Sequence, residues 1–304
     1  MCGIIGVYVK DKAKVAERLA LIYENQKERG RDGAGYAIRQ PDGSMHRCRF
    51  RNPSKALKFF AEENLQVGTL AMFHHRISTS TPNLPAFNHP ISNEVGDMYV
   101  IHNGHISNYA SLFSKYGREH QFETIFSDDG GKRIGITDSE VLIHSFEEKQ
   151  PQNGIELAVK ALAEECEGSY ALAFMLKGES RILLLRNFNP LTIFSDEDGN
   201  IWFASVLPKG KGFAEISELG DGEFGFLGSE YSKLGVIEKF KERPEAKRYY
   251  YYGDDYHSDF SSEFGSEFET AHTRKYCKLC GEETLNGHKY CEWCWGQIQE
   301  REHR

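Results

Sequence analysis

Over the first 240 or so residues, apolar positions fall into short runs and helical stripes. Residues 3–9 form a compact apolar run that predicts a buried strand. Across residues 14–29, Val15, Leu19, Ile22 and Gln26 share one helical face, and Gly30 suits the stop. Residues 34–39 predict a strand, and Asn52-Pro53 opens a short helix ending near Glu63. Residues 68–76 and 97–101 read as strands. Thr137-Asp138 precedes a helix running to about Glu148, and Ile155, Ala158, Ala161 and Leu162 line the next. Residues 170–176 and 181–186 predict a hairpin around Lys177-Gly178-Glu179. Shorter strands are expected at 201–204 and 224–227. Strands and helices come in blocks rather than a regular βαβ alternation, which predicts a layered α+β fold.

The pattern stops near Pro244. Residues 249–252 are four tyrosines, and residues 253–270 hold six acidic residues with no Lys, Arg or aliphatic side chain. Such a stretch builds no core. Residues 1–241 are therefore expected to form one domain and residues 242–273 a flexible acidic, aromatic linker, with a partner-docking segment as the alternative reading. Residues 274–304 carry Cys277-x-x-Cys280 and Cys291-x-x-Cys294. Two thiolates two residues apart reach one metal, and two such turns supply the four ligands of tetrahedral zinc. A four-thiolate site is closed, so structural zinc is expected at Cys277, Cys280, Cys291 and Cys294, in a unit resembling a zinc ribbon. Its charges nearly balance, so protein docking or a purely structural role is favoured over nucleic-acid binding.

With 304 residues and a net charge of −8, the chain is expected neither to coat nucleic acid nor to bind an anionic membrane. No apolar run approaches the ~18 residues of a transmembrane helix. No basic region precedes the apolar start, so no signal peptide is expected. Seven cysteines, four in one terminal cluster, do not form a disulfide framework, which points to a cytoplasmic location. Cys48 and Cys166 read as buried apolar residues. His74, His75, His89, His102 and His105 are irregularly spaced and are read as strand packing rather than a metal site.

Cys2 carries the most chemical information. With Met1 removed, it presents a thiol and an α-amine on one residue. An α-amine titrates near ~7.7–8.0, so it can take the thiol proton without a histidine. The segments that follow are Met1-Cys2-Gly3-Ile4-Ile5-Gly6, Arg29-Gly30-Arg31-Asp32-Gly33-Ala34-Gly35, His75-Arg76-Ile77-Ser78-Thr79, His102-Asn103-Gly104-His105-Ile106-Ser107-Asn108-Tyr109 and Thr137-Asp138-Ser139-Glu140. Together, in this order, they resemble the class II glutamine amidotransferases, a branch of the N-terminal-nucleophile hydrolases. Asn88-His89-Pro90 fits a further loop of that family.

The resemblance implies a four-layer αββα sandwich. It also implies that Cys2 attacks the side-chain amide of L-glutamine while the Asn103 side chain and the Gly104 N–H hold the oxyanion. Arg76 would grip the substrate carboxylate, Asp138 its ammonium and Thr79 add a hydroxyl contact, with Arg29 bracing the N-terminal region. Standing alone, Asn103-Gly104 reads as a hairpin turn and Asp138 as a helix N-cap. The glutaminase chemistry needs no cofactor. No glycine-rich phosphate loop or synthase-sized segment follows, so ammonia is expected to pass to a synthase or ligase on a separate chain. The alternatives are a stand-alone hydrolase of another γ-glutamyl compound and a non-catalytic zinc-tailed binding module.

Overall fold

The computed structural model describes residues 2–78, 83–124, 136–149, 154–210, 212–237 and 240. The expected linker and the four tail cysteines lie outside the described residues. So does Thr79.

Two antiparallel sheets face each other. The first has seven strands in the order β11-β9-β10-β1-β4-β2-β3 and the second six, in the order β13-β12-β8-β7-β6-β5. In the first sheet, β1 (Gly3–Tyr8) runs between β4 (Leu70–Arg76) and β10 (Ile201–Ala204), while β2 (Gly33–Arg39), β3 (Met45–Phe50), β9 (Thr192–Asp196) and β11 (Phe213–Glu218) extend the edges. The second contains β5 (Ile91–Ser92), β6 (Met98–Ile106), β7 (Gly168–Leu176), β8 (Ile182–Asn187), β12 (Glu223–Leu227) and β13 (Tyr231–Val236).

Successive strand residues point to opposite faces. Ile4, Met72 and Ala37 accordingly pack against Tyr99, Ile101 and Ala171 between the sheets. Ile5 and Val7 turn outward onto helix α1 (Val15–Gln26) and helix α2 (Pro53–Ala61), meeting Leu19, Ile22 and Phe60. On the other side Val100, Leu172 and Phe174 pack on helix α3 (Tyr109–Tyr116), helix α4 (Asp138–Glu147) and helix α5 (Ile155–Glu165). Three apolar layers between four layers of elements give the α, β, β, α order.

Asn52 caps α2 as its sequence position suggests, its Oδ1 accepting from Lys55 N–H. At α4 the expectation needs correcting. Thr137 is the N-cap, its hydroxyl accepting from Glu140 N–H at 3.2 Å, and Asp138 is the first helical residue. The Asp138 carboxylate is thereby released from capping. A second correction concerns β6, which continues through Asn103 and Gly104 to Ile106, so this pair is strand and not a turn. β3 escaped the sequence pattern because His46, Arg47 and Arg49 interrupt it. Arg47 and Arg49 both pair with Glu123, and the Glu123 and Thr124 N–H groups donate to Glu140 on α4. This buried network ties the edge of the first sheet to the helix that carries Asp138.

Candidate active site

β1 delivers Cys2 to the end of the first sheet. Gly3 stands opposite His75 in the ladder, so Cys2 emerges beside Arg76. A Cβ on Gly3 would sit 2.0 Å from His75 Nε2, so only glycine lets that ring lie against the strand. The ring is fixed at both nitrogens. Its Nδ1–H donates to Gly30 O at 2.9 Å, and its Nε2 accepts from Gln26 Nε2 at 3.0 Å. Arg29 Nε donates to Cys2 O at 2.9 Å, placing this arginine as a brace on the N-terminal backbone. Burial pushes the Cys2 thiol up, while the Ile77 N–H and the Arg76 and Arg29 charges pull it down. The thiol is therefore the resting form, and attack needs a base.

β6 brings Asn103 and Gly104 to the facing sheet's end. Asn103 Nδ2 lies 3.4 Å from Ser205 Oγ, and that hydroxyl also accepts from Ile4 N–H at 3.1 Å. Ser205 thus joins the Cys2 strand to the Asn103 strand across the sandwich. Asn189 Nδ2 donates to Asn103 O at 2.9 Å. Gly104 has φ +136°, a backbone that L side chains rarely adopt. Neither Ser205 nor Asn189 carried a sequence signal. Each lies just past a strand, with no motif around it.

Arg76 is buried and donates to Asn88 Oδ1 at 3.3 Å. Burial lowers its pKa, and Cys2, Asp32 and Asp138 pull it back up. The Asp32 carboxylate accepts from Ser78 N–H at 2.7 Å, holding the backbone after Arg76. Asp138 accepts from Ile106 N–H at 2.9 Å and from Ser139 Oγ at 3.2 Å, with His105 Nδ1 at 3.5 Å. Burial would raise its pKa, but the neighbouring His102 and His105 and the Ile106 N–H outweigh burial and hold it at about 2. Asp138 is thus an anion at any physiological pH, poised for a cationic group.

Behind these groups lie His74, His89 and His102. His74 Nε2–H donates to His102 O at 3.1 Å, and His102 N–H donates to His89 Nδ1 at 3.2 Å. Burial lowers the pKa of all three, and that of His75 to about 4. Strand packing is the role the sequence suggested, and burial agrees for His74, His75, His89 and His102, whereas His105 is 50% exposed beside Asp138. Those four buried histidines make the fold acid-sensitive. An unfolded histidine binds its proton near pH ~6.5. Between that pH and about 4 the unfolded chain holds the extra proton at His75, so stability falls as pH drops through this window. His75 alone accounts for ~3 kcal/mol at the acid end. Glu140, raised to about 8 by burial and by Glu123, and His105, raised by its hydrogen bond to Asp138, work in the opposite direction, two groups against four. The expected outcome is a Tm that falls steadily from pH 6.5 to 4.5 in thermal unfolding. A flat Tm there would contradict the neutral-histidine cluster.

The site is thus an N-proximal cysteine at the mouth of a two-sheet sandwich, flanked by an arginine, an asparagine–glycine pair and an ionised aspartate. Those residue types are the ones that the sequence resemblance singled out as a candidate amidohydrolase site. Residues 74–209 match the family described as a glutamine amidotransferase domain. The chain carries a class II glutamine amidotransferase domain. Among curated proteins it is 31% identical over 255 residues to glutamine–fructose-6-phosphate aminotransferase (isomerizing) of Sulfurisphaera tokodaii, covering 80% of this chain and 40% of that protein. It is 30% identical over 247 residues to the protein of the same name from Clostridium acetobutylicum, covering 79% and 38%. The chain therefore matches about two-fifths of these relatives' length. Among solved structures, glutamine phosphoribosylpyrophosphate amidotransferase from B. subtilis superimposes with a TM-score of 0.60 at 18% identity, covering 77% of this chain and 49% of that one. That likeness concerns the fold. Among the described residues, no helix is long and apolar enough to cross a membrane.

Proposed function

We propose that this chain hydrolyses L-glutamine to L-glutamate and ammonia. The observation that carries the reading is the strand register that sets Cys2 beside Arg76, with Ser205 joining the Cys2 strand to Asn103 and the Ile106 N–H on that same strand holding Asp138. Removal of Met1 frees the Cys2 α-amine, which takes the thiol proton. Sγ attacks the amide carbon, and the oxyanion is held by Asn103 Nδ2 and the Gly104 N–H. The α-amine then protonates the leaving ammonia. Water, deprotonated by the same amine, hydrolyses the γ-glutamyl thioester and restores the thiol. The Arg76 fork matches the substrate α-carboxylate bidentately. Asp138 accepts from the α-ammonium, and Thr79 adds a hydroxyl contact.

Ammonia then passes to a synthase. The relatives' names, which pair glutamine with fructose 6-phosphate, support an acceptor of that general kind, and a separate chain is the arrangement proposed here. The spacing of Cys277, Cys280, Cys291 and Cys294 supports a structural zinc in the tail, with protein docking or a purely structural role for that unit. A cytoplasmic location accords with this chemistry.

The test is steady-state kinetics of glutamate release by the mature protein. A hydrogen bond to a charged group contributes ~1.5–3 kcal/mol, so Asp138→Asn should raise KM for glutamine by roughly 10- to 150-fold with a smaller change in kcat. Arg76→Lys keeps the charge but loses the fork and should also raise KM. An unchanged KM in both variants would remove the amino-acid grip from the account. Faster turnover of γ-glutamyl peptides than of glutamine would replace the substrate.

A further inference from the structure

A second cluster of titratable side chains lies at the far end of α4, away from Asp138. His144 and Glu147 stand one turn apart on that helix, His120 follows α3, and Glu94 occupies the turn between β5 and β6. The nitrogen and oxygen donors of Glu94, His120 and His144 all lie within 4.8 Å of one another. His120 Nδ1 is 3.5 Å from Glu94 Oε2 and 3.6 Å from Glu147 Oε2. His144 Nδ1 is 3.9 Å and 3.2 Å from the same two oxygens. Tetrahedral zinc with bonds of ~2.0–2.2 Å sets its donors roughly 3.3–3.6 Å apart, so the spacing suits such an ion.

The independent observation is the state of the imidazoles. The side chains of His120 and His144 are 6% and 1% exposed; the rings stack with centroids 4.3 Å apart, so one of them turns about its side-chain bonds for both to meet a single ion. Both ring nitrogens of His120 and Nε2 of His144 are buried without a hydrogen-bond partner. Buried polar groups in native proteins are nearly always satisfied. Here both His120 nitrogens are orphaned although three carboxylates surround that ring, with Glu148 Oε1 3.2 Å from His120 Nε2. The carboxylates are themselves held as outer-shell partners hold metal ligands. Asn93 Nδ2 donates to Glu147 Oε1 at 2.9 Å, and Gln121 N–H donates to Glu94 Oε2 at 2.9 Å.

We propose that Glu94, His120, His144 and Glu147 form a binding site for a zinc-class divalent cation, separate from the cysteine tail. Two imidazoles with two carboxylates select a borderline ion over calcium or magnesium, which prefer oxygen ligands throughout. Binding through His144 Nδ1 ends that nitrogen's hydrogen bond to Glu147 Oε2 and places the ring proton on Nε2, the neutral tautomer that leaves Nδ1 a lone pair for the ion. The ion would clamp α4 to the β5–β6 turn and so fix the helix that begins at Asp138.

The experiment uses the full chain, stripped with a chelator and titrated with zinc against a chromophoric competitor. Because the tail cysteines are expected to take zinc too, the readout is a difference between proteins. Wild type should bind one equivalent more than H120Q/H144Q. Glu94 is exposed and its replacement leaves the core untouched, so Glu94→Gln decides the matter if the double variant fails to fold. It should weaken that equivalent at least ~10-fold. With all four tail cysteines changed to serine, cobalt should still give a visible d–d band without thiolate charge transfer. Equal zinc content in wild type and a folded H120Q/H144Q, or unchanged affinity in Glu94→Gln, would overturn the site and leave a metal-free His–Glu network.

Discussion

Replacing Cys2 by alanine should abolish glutamate release from glutamine while leaving the protein folded. Every covalent step runs through this sulfur, and removing a nucleophile that acts as part of a unit costs at least ~10⁴-fold in kcat. The fold has no comparable stake in the thiol. Cys2 is only part-buried and precedes the first strand, and apart from the Ile77 N–H at its sulfur its structural contacts are backbone ones, the carbonyl held by Arg29 and the next residue locked against His75. Activity and stability should therefore separate cleanly. Glutamate release measured beside circular dichroism checks this. Residual turnover above ~1% of wild type in a homogeneous Cys2→Ala preparation would mean that another group is the nucleophile.

Gly104→Ala should do the reverse and damage the fold as well as the chemistry. A Cβ there would meet Ser169 O at 2.0 Å and Asn189 Nδ2 at 2.4 Å, at a φ of +136°. Ser169 O belongs to the neighbouring β7 backbone and cannot swing away as a side-chain tip would. Backbone strain and overpacking each cost ~1–3 kcal/mol, so a loss of about 3 kcal/mol or more is expected. For a domain of this size that is a fall in Tm of roughly 10 °C. The substitution also displaces Asn189, which holds the Asn103 carbonyl, so the two proposed oxyanion donors would move together. A Gly104→Ala protein with wild-type Tm and turnover would show that neither the close approach to β7 nor the special backbone at Gly104 matters.

The two substitutions mark the limits of what the sequence could reveal. Cys2, Arg76, Asn103, Gly104 and Asp138 could be singled out from the sequence because each sits in a short segment that resembles a motif of one family. What they rest on could not. Ser205 is distant from both Ile4 and Asn103 in sequence, yet its hydroxyl lies between them, because the sandwich brings β1, β6 and the end of β10 together. The Asn103-Gly104 pair shows the converse difficulty. Local propensity favours a turn there, but the ladder to β7 runs straight through, Asn103 opposite Ala171 and Gly104 opposite Tyr170. Tertiary pairing overrode a strong local signal.

The fold was legible where periodicity was clean. β1 and α1 were, since a continuous apolar run and a helical stripe each bury one defined surface. β3 was not, because its arginines are inward-facing and satisfied by Glu123, a residue far along the chain. Sequence patterns equate charge with exposure, and a buried Arg–Glu–Arg network breaks that equation. At α4, Thr137 and Asp138 are both good capping residues, and the sequence alone could not apportion the roles. The structure gives the cap to Thr137, which leaves the Asp138 carboxylate available for a substrate ammonium. His120 and His144 escaped notice for the same reason as Ser205: they are distant in sequence and meet only once α3 and α4 pack.

The central claim is that Cys2 is the nucleophile of a glutamine-shaped site. The most direct test is to treat the mature protein, shown by intact mass to have lost Met1, with an electrophilic glutamine analogue and to map the adduct by peptide mass spectrometry. This measurement needs no acceptor partner. The account predicts one adduct per chain, on Cys2, blocked by excess L-glutamine and absent in Arg76→Ala at the same analogue concentration. No adduct, or an adduct on Cys48, Cys166 or the tail cysteines while Cys2 stays free, would contradict it.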